Sequence, residues 1–144
     1  MSLRMNVRVR LVSWQGFAEQ LAAIRTTVFV LEQGVPAEIE HDGRDPECVH
    51  ALAEDDQGRA LGTGRLLPDG QIGRMAVLAV ARGAGVGTAL LHALLDAAAE
   101  RQLPRVQLHA QAHAQRFYAR HGFEVSGEEF IEAGIAHVMM QRRP

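Results

Sequence analysis

The sequence predicts an α/β (α+β) fold, a mixed and mostly antiparallel central sheet flanked by helices. Two observations carry that expectation: short stretches of period-two alternation lie on either side of tight turns, and two longer stretches repeat apolar residues at steps of three and four. Their order is strand, helix, three strands, helix, strand, helix, two strands, which layers helices on one sheet. With 144 residues, 47% of them hydrophobic, the chain has the length and apolar material of a single domain spanning 1–144.

Asn6 to Val12 sets Val7, Val9 and Leu11 against Arg8 and Arg10 and reads as the first strand. From Phe17, the positions Leu21, Ile24, Val28 and Leu31 form the apolar stripe of a helix from Gly16 to Glu32, ended by Gly34-Val35-Pro36. Pro36 to Glu47 carries Glu38, Glu40, Asp42, Asp45 and Glu47 among turn formers, so it reads as a surface loop with room for a short helical turn. Val49 to Glu54 and Ala60 to Leu67 flank the turn Asp55-Asp56-Gln57-Gly58, and Pro68-Asp69-Gly70 leads into Gln71 to Val80, completing an antiparallel meander. An Ala/Leu-rich helix with Leu90, Leu91, Leu94, Leu95 and Ala98 then stops before Pro104. Arg105 to Ala110 is a strand and Gln115 to His121 a short helix ended by Gly122. Phe123 to Val125 and Ala136 to Gln141 close the sheet around a hairpin-like excursion.

Composition narrows the function. A net charge of −2 supplies no basic field for nucleic acid or an anionic membrane. All 15 basic residues are Arg, a coding bias that leaves no Lys for nucleophilic or Schiff-base chemistry. Cys48 is the one cysteine, so no internal disulfide or cysteine-based zinc site forms, and it reads as a packed residue. Met1 to Asn6 has no apolar run behind it and no segment approaches the roughly 20 apolar residues of a membrane span, so the expectation is a cytoplasmic protein without a processed leader. His109 and His113 are four apart across a strand end, which does not bring them onto one metal. No metal is expected.

The segment Arg82-Gly83-Ala84-Gly85-Val86-Gly87-Thr88 joins a strand to a helix, so turn N–H groups and the helix N-terminus converge on one spot suited to phosphate. Glycines let the backbone approach the ligand, and Arg82 adds a cation. By itself Gly-x-Gly-x-Gly is a common turn. No Gly-Lys-Ser/Thr ending follows, and the helix does not open a first βαβ unit, which sets aside the familiar nucleotide loops.

The surroundings of that loop resemble a known family. Arg82 to Gly87 resembles the Arg/Gln-x-x-Gly-x-Gly/Ala signature of the GNAT superfamily of N-acetyltransferases, with Met75-Ala76-Val77 before it resembling the cofactor-contacting strand. Ala114-Gln115-Arg116-Phe117-Tyr118-Ala119-Arg120-His121-Gly122-Phe123 resembles the second signature, Ala-x-x-Phe-Tyr-x-x-x-Gly-Phe. Val28 to Gln33 with the acidic loop, and His109 to His113, resemble the ElaA-like branch. The resemblance implies a GNAT-type sheet splayed between its fourth and fifth strands, and an acyltransferase moving an acetyl group from acetyl-CoA, a co-substrate, directly to an amine-bearing acceptor. It is also compatible with a homodimer through the C-terminal strands.

The resemblance further implies cofactor contacts at Met75, Ala76, Val77, Arg82 to Thr88, Ala114 and Phe117, with a Val77 backbone N–H on the thioester carbonyl and the Tyr118 phenol protonating the departing thiolate. For the base the sequence offers Glu32, His50, His113 and His137; Glu32 ends the first helix beside the acidic loop and His113 precedes Tyr118. The loop's acids could draw a cationic acceptor or form a solvated face. Two other readings stay open: a regulatory module that holds acyl-CoA without turnover, and a nucleotide-phosphate binder.

Overall fold

A computed structural model describes residues 6–144; the expectation of no leader at Met1 to Met5 lies outside them. In chain order, β1 (Arg8–Val12) and α1 (Trp14–Arg25) lead through a π-helical segment, Thr26–Glu32, to a short α2 (Ala37–Glu40). The meander is β2 (Val49–Glu54), β3 (Ala60–Leu66) and β4 (Gln71–Val77), followed by α3 (Val86–Glu100) and β5 (Val106–Gln111). Helix α4 (Gln115–Arg120) precedes β6 (Glu124–Val125), β7 (Phe130–Glu132) and β8 (Ile135–Arg142).

The strands form one sheet in the order β1-β2-β3-β4-β5-β8-β6, with β7 hairpinned onto β8. Neighbours are antiparallel except β4 and β5, which run parallel. This is the mixed, mostly antiparallel sheet that the sequence predicts. Helix α3 buries Leu90, Leu91, Leu94 and Ala98 against one face. It lies on nearly bare backbone: a Cβ at Gly62 of β3 would meet the Ala76 carbonyl at 3.0 Å and the Leu90 side chain at 3.1 Å. Leu21, Ile24 and Val28 bring α1 and the π segment onto the other face, over Leu52 and Ala76.

Several local expectations are corrected. Helix α1 begins at Trp14 rather than Gly16, because the Ser13 hydroxyl caps it by accepting from the Gly16 N–H at 3.2 Å. After Arg25 the helix widens to i→i+5 bonds, such as Gln33 N–H to the Val28 carbonyl at 3.2 Å. The wider turn breaks the predicted stripe: Leu21, Ile24 and Val28 stay buried, while Leu31 rotates out to 73% exposure. Strand β4 ends at Val77 and not Val80, where the chain coils into a 3-10 turn, Ala79–Ala81.

The larger correction concerns the acidic loop, which is not a plain surface loop. Glu40 and Asp45 are buried, and with Asp42 they enclose two guanidiniums, Arg25 of α1 at 1% exposure and Arg65 of β3 at 3%. Arg25 bonds both oxygens of Glu40 and donates to Asp45 at 2.6 Å; Arg65 donates to Asp45 at 3.0 Å and is clamped by Asp42. His50 closes the cluster with Nε2 3.0 Å from the Asp45 carbonyl, and burial holds its imidazole below the usual histidine range. Glu47 pairs with Arg44 at 2.5 Å, so of the five loop acids only Glu38 has no arginine partner among the described residues. Cys48 packs beside this cluster, donating to the Arg44 carbonyl, and burial pushes its thiol up to about 11.

Removing one member strands the others in the interior. Arg25→Ala is expected to lower stability by about 3–5 kcal/mol, read from urea unfolding, whereas exposed Arg8→Ala should leave the midpoint nearly unchanged. Acid should act on the same cluster. The Arg65 hydrogen bond holds the Asp42 carboxyl far below its ordinary range; burial alone would raise Asp45, but Arg25 and Arg65 outweigh it and hold that carboxyl low as well. Stability from such groups is complete above about pH 4 and is lost as pH falls toward the depressed values, so the thermal midpoint should drop steadily below pH 4.

Candidate functional site

The site begins with a defect in β4. Thr63 pairs with Ala76 and Arg65 with Gly73, so Gly64 faces both Arg74 and Met75, and Arg74 takes a φ of 51°. This is a β-bulge, and it bends the strand. The parallel ladder to β5 has two rungs, Gln71 with Gln107 and Ile72 with Leu108, and stops where the bulge starts. Past it, the Leu78 N–H donates to the Leu61 carbonyl of β3 at 2.8 Å. By strand alternation Val77 therefore turns its N–H and carbonyl the other way, into the opening between β4 and β5. The Arg74 guanidinium fastens the bulge to the loop below, donating to the Glu40 carbonyl at 3.1 Å.

The glycine loop joins this opening to α3. Gly83 and Gly85 have φ of 80° and 79°, left-handed values that a side chain would strain, and Gly85 is the N-cap of α3. The first-turn N–H groups of Val86, Gly87 and Thr88 have no partner within the helix and point out of its N-terminus. Gly87 lies under the Phe117 ring, where a Cβ would sit 3.5 Å from it.

Two side-chain bridges cross the mouth of the opening, both from the end of the π segment. Arg82 donates Nε to the Val77 carbonyl at 2.9 Å and grips both oxygens of Glu32 at 2.9 and 2.8 Å. The next residue, Gln33, exchanges amide hydrogen bonds with Gln111 at the end of β5, the shorter at 2.9 Å. Glu32 and Gln33 thus reach the two lips of the splay. Glu32, Val77 and Arg82, predicted as separate site residues, come together; Gln33, Gln111 and Arg74 were given no role. The signal for Gln33 was its place beside Glu32, while nothing in the sequence marks Arg74 for a positive φ.

Tyr118 is 8% exposed, its ring edge-on to Phe117 at 5.0 Å and to Phe123 at 5.7 Å between centroids. Among the described residues nothing hydrogen-bonds its hydroxyl, and burial pushes the phenol up to about 12. Ala114 caps α4 and, like Phe117, packs on the same core cluster. Met75 and Val77 also pack there, while Ala76 turns to the α1 side. His113 is exposed on the turn before α4. His137 bonds the Ile135 carbonyl at 2.7 Å, and His109 contacts Glu132 at 3.1 Å. His50 belongs to the buried arginine cluster and does not reach the opening. Among the described residues no group of three or more His, Cys, Asp or Glu side chains could hold a metal, and no helix is long and apolar enough to cross a membrane.

A strand that leaves its parallel neighbour after two rungs, beside a glycine loop at a helix N-terminus, coincides with a sequence-level match: the profile of the acetyltransferase (GNAT) domain covers residues 15–144. The chain belongs to the GNAT acetyltransferase family. It is 41% identical over 123 residues to the uncharacterized N-acetyltransferase YjcF of Bacillus subtilis, covering 83% of this chain and 87% of that protein. Its structure resembles the crystal structure of an acyl-CoA N-acyltransferase from Pseudomonas aeruginosa with a TM-score of 0.81 at 35% identity, over 96% and 99% of the two chains. Escherichia coli ElaA gives a TM-score of 0.85 at 28% identity, over 96% and 100%. This GNAT protein is accordingly an acyltransferase, on a fold that typically binds acyl-CoA.

Because Tyr118 is the only tyrosine, its burial can be read directly from phenolate absorbance. The native protein should titrate near pH 12 and the urea-unfolded chain near pH 10. The sign follows: a raised acid gives stability complete below about pH 10 and lost as pH climbs toward 12.

Proposed function

We propose that this GNAT acyltransferase moves an acetyl group from acetyl-CoA directly to a primary amine of a small-molecule or peptide acceptor. The observation that carries the reading is the opening beyond the β4 bulge, into which Val77 turns its N–H, continuous with the glycine loop and α3 N-terminus. In this reading the N–H groups of Gly83 to Thr88 hold the pyrophosphate, and Met75 to Val77, Ala114 and Phe117 line the pantetheine arm; Arg82, expected to add its cation there, instead gives its backbone N–H to the Ala79 carbonyl and its guanidinium to Glu32 and Val77. The amine nitrogen attacks the thioester carbon, the Val77 N–H carries the developing oxyanion, and the C–S bond breaks to release a thiolate. In the same reading Tyr118 serves that sulfur. With the phenol at about 12 and a thiol near 8.5, full proton transfer runs roughly 3.5 pKa units uphill, so Tyr118 acts chiefly as a hydrogen-bond donor to the leaving sulfur.

We assign removal of the amine proton to Glu32 ahead of His113, because the Arg82 guanidinium orients the Glu32 carboxylate at the mouth of the opening while His113 stands without a partner among the described residues. The name of the Pseudomonas relative, an acyl-CoA N-acyltransferase, supports the donor class. A second reading also has an observation behind it: the packing of Tyr118 between Phe117 and Phe123 suits a module that only holds acyl-CoA.

Calorimetric titration with acetyl-CoA, then thiol release over a panel of amines, tests both. Gly85→Glu, which puts a carboxylate where the pyrophosphate would lie, should abolish binding. Tyr118→Phe should bind acetyl-CoA within twofold of wild type and lose about 10²–10³ in turnover, the cost of removing one hydrogen-bond donor to developing charge. Binding without turnover on any amine would favour the holding module, and no binding would end both readings.

A further inference from the structure

The arginines divide into two groups. Arg10, Arg25, Arg44, Arg59, Arg65, Arg74 and Arg82 each contact a carboxylate. Arg8, Arg101, Arg105, Arg116, Arg120, Arg142 and Arg143 have none within 4.0 Å among the described residues, and four of these seven, Arg105, Arg120, Arg142 and Arg143, line one groove of about 670 Å³. It lies where β5 begins, β8 ends and α4 gives way to Gly122.

Three of these guanidiniums are oriented by neutral acceptors. Arg142 donates to the His121 carbonyl at 2.5 Å and to the Arg143 carbonyl at 2.8 Å, and lies against Gly122, where a Cβ would sit 3.4 Å from its Nη1. Arg105 donates to the Gln141 side-chain oxygen at 3.4 Å and Arg120 to the Arg116 carbonyl at 3.3 Å. Neutral acceptors fix a guanidinium without cancelling its charge, which is how a protein keeps a cation ready for an anion. Glu124 is the only carboxylate on the groove wall. Burial, then His92, Arg120 and Arg142, hold the His121 imidazole below the usual histidine range.

We propose that this groove is a binding site for a phosphomonoester, distinct from the glycine loop that faces the β4–β5 opening. Its position offers two sources for that group. His121 forms part of the wall and its Nε2 is 3.4 Å from the Thr88 hydroxyl at the end of the glycine loop, so a ligand held at the loop could extend to the groove. Coenzyme A has such an extension, because its ribose bears a phosphomonoester beyond the pyrophosphate. The alternative source is a separate phosphate-bearing molecule. The first source rests on the acyl-CoA reading above; the second does not.

The experiment is calorimetric titration of the full chain with CoA, with 3′-dephospho-CoA and with inorganic phosphate, repeated on Arg142→Ala and Arg120→Ala. Arg120 is exposed and bonds only within its own helix, so its removal keeps the fold if loss of Arg142 loosens the end of α4. For the first source, wild type should prefer CoA over 3′-dephospho-CoA by about tenfold, and each variant should reduce that preference below about threefold. For the second, the two nucleotides should bind alike while inorganic phosphate binds wild type and loses at least fivefold in both variants. Failure of CoA to bind at all would remove the acyl-CoA reading and leave the phosphate titration to decide the groove. Phosphate binding and nucleotide preference both unchanged in the two variants, or both absent from wild type, would overturn the proposal.

Discussion

The fold depends on an electrostatic closure between helix α1, strand β3 and the loop from Pro36 to Cys48. Arg25 and Arg65 project onto the α1 side of the sheet at 1% and 3% exposure, where an unpaired guanidinium would be severely penalised. Glu40, Asp42 and Asp45 remove that penalty, and supplying them forces the loop to fold back over the sheet. Such a cluster adds less to stability than its hydrogen bonds suggest, since desolvation offsets much of the attraction. It does fix which residues meet: α2 and the 3-10 turn at Asp45–Glu47 can occupy only positions that carry the acids to both arginines.

The loop in turn supports the bulge. The Arg74 side chain ends on the backbone carbonyl of Glu40, the residue whose carboxylate clamps Arg25. A non-glycine residue at φ 51° is strained and persists where its surroundings hold it. The bulge parts β4 from β5, and that parting turns the Val77 N–H into the opening while the Val77 carbonyl accepts from Arg82. The same order of dependence accounts for the π segment. Its wider turn gives up a buried Leu31 and carries Glu32 to Arg82 and Gln33 to Gln111, so apolar burial is exchanged for two polar bridges over the opening.

These relations explain what was legible in the sequence. Strands, α3 and the glycine loop rest on local signals, namely alternation, an Ala/Leu stripe, and glycines that take φ near 80° at a helix start; β2, β3 and β5 emerged at nearly their observed bounds, whereas β4 ends at Val77 rather than Val80 and β7 lies in what read only as a hairpin-like excursion. The Phe-Tyr and glycine signatures meet beside the β4–β5 opening, where Gly87 lies under the Phe117 ring. The π segment was hidden because a stripe at steps of three and four looks the same until Leu31. The bulge was hidden because Arg74 is a poor indicator of a left-handed residue. The acidic loop read as a surface loop, either drawing a cationic acceptor or solvated, because its partners, Arg25 and Arg65, lie 15 to 23 residues away, and a charge run carries no mark of what it will pair with.

That last point bears on acceptor choice. Glu40, Asp42 and Asp45 are opposed by Arg25, Arg65 and Arg74, and Glu47 by Arg44, so the loop presents little net field to an approaching cation. Attraction by the loop as a whole therefore cannot select the acceptor. On the proposed reading, selection falls to groups at the mouth of the opening, where the Glu32 carboxylate is itself paired with Arg82 and the Gln33–Gln111 pair offers donors and acceptors at fixed positions. On that reading recognition is by hydrogen-bond geometry, which favours an acceptor whose polar groups match the spacing of that pair over one that is merely cationic.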